Sequence, residues 1–593
     1  MAIENLITDH LDLWTAAVRP KSSAGRGSNS KLELTGIKKL RELILELAVR
    51  GKLVPQDPSD EPASVLLERI TAEKTRLVKE GKIKKSKVLP KISEEEQPFD
   101  LPEGWEWGCL GDIVAIIRGI TFPASEKHCE PSEDRIACLR TANVQDKIEW
   151  DDLLYVKTSF VKRLEQRVEV GDIVMSMANS KELVGKVAYI EKIPSGSATF
   201  GGFLSVIRPY EIDASFLMTV LRAPQTRSVL IDRSSQTTNI ANISLEKLNP
   251  LVIAIPPLPE QHRIVAKVDE LMALCDQLEL RSESQLAAHQ MLVETLLATL
   301  TDSANADELA QNWARLSTHF YTLFTTEASI DALKQTILQL AVMGKLVPQD
   351  PSDEPAAALL ERIAAEKAQL VKEKKIKKDK PLPVITENEE PFPLPKGWEW
   401  VNLGELVTIR GGKRLPKGHV LSKDPTPYVY IRVSDMKDGS VCCDDLHYVT
   451  KNVSTQISNY IITSDDIYMT IVGATIGKCG LVPGKLSGMH LTENAARLTP
   501  YSGIEKVYLY KYLASHFAQE QFVDKTKQVG VQKMALNRLS CTKVPLPPTE
   551  QQIHIVNKLE QLLRICLKLK QRLRDSQQTQ LALAESLVEG ALA

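Results

Sequence analysis

Thirteen consecutive residues, Gly51–Ala63 (GKLVPQDPSDEPA), recur unchanged at Gly344–Ala356, 293 positions further on. At the same offset Leu66–Ile70 (LLERI) returns at Leu359–Ile363 and Lys82–Lys85 (KIKK) at Lys375–Lys378. Gly104–Trp107 (GWEW) likewise returns at Gly397–Trp400. A register held over more than fifty residues identifies a duplication, so whatever one half folds into, the other must also form. A second anchor lies downstream. Pro257–Gln261 (PLPEQ) opens one helical stretch, and Pro545-Leu546-Pro547 with Glu550-Gln551 opens another. Ile264, Val268, Leu271, Cys275 and Leu278 follow with 4-3-4-3 spacing. Ile555, Leu559, Leu562, Cys566 and Leu569 repeat it at an offset of 291. That rhythm is a coiled-coil seam. The first seam is lost at Ser282, whereas the second runs on to Leu573. Ahead of the thirteen-residue words, Ile37, Leu40, Ile44 and Leu47 match Ile330, Leu333, Ile337 and Leu340 as amphipathic helices. Gly51 and Gly344 suit the left-handed position that ends such a helix.

The order is helix, variable region, helix, helix, variable region, helix. The expected fold is mixed α/β, a pseudo-twofold internal repeat. Two α/β recognition regions are separated by long antiparallel coiled-coil helices. The boundaries fall at 1–98 (helical, with a linker-like Lys21–Ser30), 99–259, 260–391, 392–549 and 550–593. At 593 residues the chain exceeds a single core. The two variable regions, Phe99–Pro259 and Phe392–Thr549, agree only at islands. Arg118-Gly119 matches Arg410-Gly411, Leu139-Arg140 matches Ile431-Arg432, and Val184–Lys186 matches Ile476–Lys478. Asp172–Met177 and Asp466–Ile471 read as short strands. Net charge is −2, which excludes a polycation but not a local basic groove. Nine cysteines without CxxC pairs suggest reduced thiols in a cytoplasm. The longest apolar runs fall far short of a membrane span, and Met1–His10 does not resemble a secretion signal.

The doubled LP-x-GW-E-W opening (Leu101–Trp107, Leu394–Trp400), the PLPEQ-type closing with its seam helix and the half-and-half repeat resemble the specificity subunit of a Type I restriction–modification enzyme. The resemblance runs from about Ile37 to the C-terminus. It implies that each variable region reads one half of a split double-stranded DNA sequence. It also implies that the helices fix the spacer and dock two methyltransferase subunits, with restriction/translocase subunits joining them. S-adenosylmethionine, ATP and Mg are then expected on those partners and no cofactor on this chain. The second closing is stretched to PLPPTEQ, which leaves the start of its helix open by one residue.

Catalytic motifs that would contradict a non-enzymatic subunit are missing. No NPPY-like tetrapeptide appears, as an adenine methyltransferase would need. Gly473–Lys478 (GATIGK) is one residue short of a phosphate loop, and Cys479 stands where the hydroxyl should be, so a strand-turn-strand is expected. The ten histidines show no metal spacing. Asp151-Asp152, Asp444-Asp445 and Asp465-Asp466 read as turns rather than a nuclease site. Six lysines within Lys79–Lys91 and six within Lys372–Lys380 read as solvated helix ends and linkers, with phosphate contact as the functional alternative.

The first variable region holds 17 Lys+Arg against 21 Asp+Glu, the second 19 against 13. The second therefore suits DNA directly, whereas the first must gather its cations or use neutral donors. Its run Arg233–Asn242 (RSSQTTNIAN) offers Ser235, Gln236, Thr238 and Asn239. The counterpart Lys525–Lys533 (KTKQVGVQK) offers Gln528, Gln532 and Lys533. The recurring Arg118, Arg140, Arg410 and Arg432 suggest a shared phosphate grip. Asn143, Lys186 and Lys478 join them, and Lys413 and Arg414, present in one copy only, are candidate guanine readers. Ordinary surface loops and structural salt bridges are the alternatives. A fused nuclease or methyltransferase is opposed by the missing motifs. A coiled-coil scaffold binding other proteins would explain the helices but not two divergent α/β regions at equivalent places.

Overall fold

A computed structural model describes residues 3–20, 32–81, 83, 88–181, 183–236, 241–304, 306–378, 380–524 and 533–592, with backbone alone at 3, 4, 20, 236, 523 and 524. Lys21–Ser30 lies outside the described residues. The chain forms two compact units, one of residues 1–285 with 576–593, the other of residues 286–575. The principal helices are α1 (Thr35–Val49), α2 (Ala63–Lys79), α3 (Leu258–Asp302), α4 (Ala306–Thr318), α5 (Glu327–Val342), α6 (Ala356–Lys372) and α7 (Thr549–Leu592). In addition, short helices Ile3–Thr8 and Leu11–Ala16 precede α1, and Trp14 is wholly buried there.

Each long helix is divided between the units, and a change of seam marks the division. In α3 the buried apolar positions of the first seam run to Leu278, the next seam position is the buried Ser282, and the helix does not end there. Val293, Leu297 and Leu300 resume the 4-3 spacing in the core of the second unit. Within the first unit Arg41 of α1 pairs with Asp276 and Glu279 of α3 at 2.6 Å each, while Asp60 beyond α1 meets Arg263 at 2.7 Å. The two therefore run antiparallel. Lys39 reaches Glu585 and Lys52 reaches the Leu592 carbonyl, so α1 runs parallel to the end of α7. Within the second unit α5 runs antiparallel to the start of α7, since Lys570 meets Glu327 and Gln551 meets Gln349. It runs parallel to the end of α3, since His289 meets the Leu323 carbonyl and Lys345 that of Thr301. Each unit thus holds an antiparallel pair made from one long helix's start and the other's end.

The three repeated words converge on one knot per unit. Gly51 and Gly344 end their helices with φ of 67° and 69°, and a Cβ on either would lie 2.5 Å from Pro102 or Pro395. The Trp105 indole N–H donates to Glu260 Oε2 (3.0 Å), and Gln56 Nε2 donates to Glu260 Oε1 (3.1 Å). In the other copy the Trp398 indole donates to Gln551 (2.8 Å) and Gln349 (3.0 Å). Gln261 and Gln552 both accept a backbone N–H, from Asp213 and Glu505, and both donate to a proline carbonyl. The closing register is thereby fixed: Gln551-Gln552, not Glu550-Gln551, stand for Glu260-Gln261.

The recognition regions share a plan. The strands of the first are β1 (Glu106–Cys109), β2 (Val114–Arg118), β3 (Arg135–Leu139), β4 (Leu154–Lys157), β5 (Ile173–Ser176), β6 (Val187–Tyr189), β7 (Ala198–Phe200), β8 (Leu204–Pro209) and β9 (Val252–Ile255). An antiparallel sheet runs β2-β8-β5-β6, a second sheet runs β7-β3-β4 with β7 parallel to β3, and β9 pairs with β1. The second region has β10 (Glu399–Asn402), β11 (Val407–Gly411), β12 (Tyr430–Ile431), β13 (Ile461–Ile462), β14 (Ile467–Thr470), β15 (Cys479–Leu481), β16 (Met489–Leu491), β17 (Ala495–Pro500) and β18 (Lys543–Leu546). Its sheets run β11-β17-β14-β15, β12-β16-β13 and β10-β18. The β9–β1 and β18–β10 ladders clamp the beginning and end of each variable region onto the helical frame, leaving the loops between free to differ. β5 and β14, apolar except for the terminal Ser176 and Thr470, are buried at every position of their cores.

Candidate nucleic-acid interface

The four recurring arginines divide into two kinds. Arg140 and Arg432 follow β3 and β12, where a short 3₁₀ turn needs its first backbone N–H satisfied. Asn143 accepts the Arg140 N–H and Asp435 that of Arg432, at 2.8 Å each. The guanidiniums then fold back. Arg140 Nη2 donates to the Asp152 carbonyl (2.5 Å) and carboxylate (2.6 Å). Arg432 Nη2 donates to Asp435 (2.6 Å) and the Asp445 carbonyl (2.6 Å). Asn143 is buried and also donates to the Glu149 and Asp152 carbonyls at 3.0 Å. These residues recur because each copy closes the same loop with them, and the second aspartate of each acidic pair is part of that closure. In the third pair Asp466 is buried, accepting the Thr463 N–H (2.7 Å) and a hydroxyl from Thr499. Its counterpart Asp172 holds Arg208 at 2.7 Å.

Arg118 and Arg410 are exposed at the ends of β2 and β11. Arg118 has no side-chain partner among the described residues, and Arg410 Nη2 donates only to the Lys375 carbonyl (3.0 Å). Lys478, on the turn between β14 and β15, is exposed. That turn carries the GATIGK segment, with Gly477 at φ 84° and its partner Gly185 at 74°. A strand rather than a helix follows, so the segment is no phosphate loop. Lys186 is half-buried and donates to Gln145 (2.8 Å), with Asp146 at 3.6 Å. Lys533 is exposed and bridges to Val472 through the backbone, which brings it beside the same turn. Ser235 is exposed, its hydroxyl donating to the Asn242 carbonyl within a small ladder that also takes in Ala178–Asn179. Gln236 pairs there by backbone, while Thr238, Asn239, Gln528 and Gln532 lie outside the described residues.

Lys413 and Arg414 form the most organised exposed group. Arg414 Nε donates to Glu493 at 2.8 Å, which raises the guanidinium pKa; the side chain is 82% exposed, and its terminal nitrogens have no hydrogen-bond partner among the described residues. Burial pushes the Tyr430 phenol up to about 12, keeping it protonated, and its hydroxyl donates to the Lys413 carbonyl (2.7 Å) and Glu493 (3.2 Å). Lys413 Nζ stands 5.4 Å from the Tyr460 ring centroid. Sequence reasoning missed Glu493, Tyr430 and Tyr460, because they sit 17 to 79 residues away from what they hold. The result is an exposed arginine anchored through Nε to Glu493.

Two segments, 102–288 and 395–576, match the family described as Type I restriction modification DNA specificity domain. The specificity subunit of the Escherichia coli Type I restriction enzyme EcoAI is 43% identical over 604 residues, covering all of both chains. That of EcoEI, also from Escherichia coli, is 42% identical over 610 residues with the same coverage. The chain belongs to the Type I restriction–modification specificity family. A solved chain reported for complex assembly and conformational transition of the type I R-M system aligns over 84% of this chain and 99% of its own, with 18% identity and a TM-score of 0.49. The family segments begin at the LP-x-GW-E-W words and end within the long helices, so each takes in one recognition region with the first seam that follows it. Among the described residues no helix is long and apolar enough to cross a membrane.

Proposed function

We propose that this chain is the non-catalytic DNA-specificity subunit of a Type I restriction–modification complex, reading a bipartite double-stranded target with one recognition region per half. The observation that carries the reading is the pairing of two family domains on one duplicated frame with different exposed loops. A frame closed by the same tryptophan knot twice presents two surfaces that need not bind the same bases. Base contacts belong to the exposed candidates, foremost Arg414 and Lys413, with Arg118, Arg410, Lys478 and Lys533 on phosphates. The helices outside the recognition regions dock two methyltransferase subunits and the restriction subunits. S-adenosylmethionine, ATP and Mg act on those partners.

The test is a domain exchange. Replacing residues 392–549 with the equivalent region of a relative, inside the assembled methyltransferase, should change one half of the methylated sequence and leave the other half and the spacing alone. Methylome sequencing reads the result. A change in both halves would refute independent reading. Adenine methylation by the partner-free chain would refute its non-catalytic role.

A further inference from the structure

Beyond α6 the chain does something its first copy does not. Both α2 and α6 end with the residue two beyond the helix in a left-handed conformation. In the first copy that residue is Gly81, φ 69°, and in the second it is Lys374, φ 58°. The turn is otherwise the same, with Gly81 N–H donating to the Val78 carbonyl and Lys374 N–H to that of Val371. Glycine takes this conformation freely, while a side chain there is strained. The lysine is thus held at a conformational cost that its own twin avoids.

What the lysine gains is a place in a basic concavity. A cavity of about 760 Å³ in the second unit is bounded by Lys374, Lys375, Lys377, Lys380 and Arg410, with Thr408, Asn537 and Ser540 adding neutral donors. Among the described residues no carboxylate lines it. Lys375 pairs with Glu373 at 2.8 Å, whereas Lys374, Lys377 and Lys380 have no acidic partner among the described residues. Arg410 is tied to this wall through the Lys375 carbonyl. A helix C-terminus by itself attracts cations, but that field fades within the last turn, and Lys377 and Lys380 lie beyond it. Lys374, Lys377, Lys380 and Arg410 border one space with no acidic ion-pair partner among the described residues, so their mutual repulsion favours an anion there.

We propose that this concavity grips backbone phosphates of duplex DNA, adding affinity without sequence information to the second recognition region. The proposal rests on the DNA-reading function above. Mixed-sequence 30-bp duplex binding to the full chain, followed by fluorescence anisotropy between 50 and 200 mM KCl, tests it. Lys374→Gly should lower the log–log salt slope by about 0.9, the share of one phosphate, and Lys377→Gln with Lys380→Gln by about 0.9 each. Lys374→Gly should also raise the melting temperature, because it relieves the left-handed strain, so weaker binding cannot be put down to misfolding. Lys568→Gln, an exposed lysine on α7, controls for diffuse charge. An unchanged slope in the cavity variants, or an equal change in the control, would overturn the proposal. So would 5 mM inorganic phosphate stabilising the wild type but not Lys374→Gly while their DNA slopes coincide, since the cavity would then serve a free anion. If the wild-type chain binds no duplex at all, the DNA-reading function itself fails.

Discussion

Replacing Trp105 or Trp398 with phenylalanine removes the same atoms from the same setting, so any difference between the two losses reports the hydrogen bonds alone. Both indoles are 5% exposed. Trp105 donates to the carboxylate of Glu260, which is itself 1% exposed and left with Gln56 alone once the indole N–H is gone. Trp398 donates to two neutral amides that keep a hydrogen bond to each other. A bond to a charged group is worth about 1.5–3 kcal/mol and a neutral one about 0.5–1.5 kcal/mol. Trp105→Phe should therefore destabilise the first unit roughly 1 kcal/mol more than Trp398→Phe destabilises the second. Hydrogen exchange of Thr35–Val49 against Glu327–Val342 separates the units, and roughly 1 kcal/mol is about a five-fold difference in exchange rate.

Glu260 supplies the control. Burial raises its pKa, opposed by the bonds from Gln56 and Trp105. A carboxyl whose folded pKa is raised holds its proton longer in the folded state, so stability is greatest below the ordinary carboxylate pKa and falls as pH rises through the raised one. Glu260→Gln, which reproduces the second copy's knot, should remove that decline and exceed the wild type in stability at alkaline pH. In the Glu260→Gln background, Trp105→Phe should cost no more than Trp398→Phe does. Equal losses from the two tryptophan variants, unchanged by Glu260→Gln, would refute the reasoning.

Gly344→Ala combines a left-handed backbone with a 2.5 Å approach to Pro395 and should cost at least about 2 kcal/mol, read as a lowered melting temperature. Arg432→Ala should cost about 1–3 kcal/mol by leaving the buried Asp435 short of partners, with no relaxation at a single base in the methylome. Arg414→Ala should relax one base position in the second half-site. A uniform loss on every sequence, with a salt slope lower by about one, would make it a phosphate contact instead. Arg574 and Lys570 hold the Glu327 carboxyl down to about 2, so their contribution is present above the ordinary carboxylate pKa and is lost as pH falls through about 2. Glu327→Gln should accordingly cost under about 1 kcal/mol at neutral pH, as for a partly exposed pair, and nothing in strong acid, by thermal melts across pH.

The duplication, both seams, the left-handed glycines and the strands around Ile173 and Ile467 were legible because each is a local pattern. The knots were not, although every one of their residues lies in or beside a repeated word. Trp105 and Glu260 are 155 positions apart, and periodicity says nothing about which distant words meet. The seam of α3 was readable only to Ser282, because a helix shared between two cores must change its apolar face, and the crossover reads as a polar break. Among the recognition residues, recurrence marked Arg140 and Arg432 correctly as shared but not what they share. Their partners Asp152 and Asp445 stand 12 and 13 residues on, in loops of unequal length. Conversely Arg414, absent from the first copy, is held by Glu493 across a strand pair that no spacing rule predicts.

Two copies of one frame also make a built-in comparison that a single domain lacks. Where both copies keep a residue, as with the tryptophans and Gly51/Gly344, the shared backbone accounts for it. Where the backbone is kept and the residue changes, the change needs another cause. Glu260 against Gln551 alters charge inside a knot built from the same three positions, with the Trp398 indole reaching Gln349 as well, so its effect falls on stability and its pH dependence. Gly81 against Lys374 is different in kind. The second copy places a long cation at a position whose conformation opposes it, on a region already carrying 19 basic against 13 acidic residues where the first carries 17 against 21. If both halves met DNA with equal electrostatic help, that strain would have no return. The asymmetry follows if the second region supplies more of the charge that draws the duplex in, while the first relies on neutral donors once the duplex is near. On that argument, neutralising Lys374, Lys377 and Lys380 should slow association more than it speeds release, because it removes long-range attraction rather than base contacts.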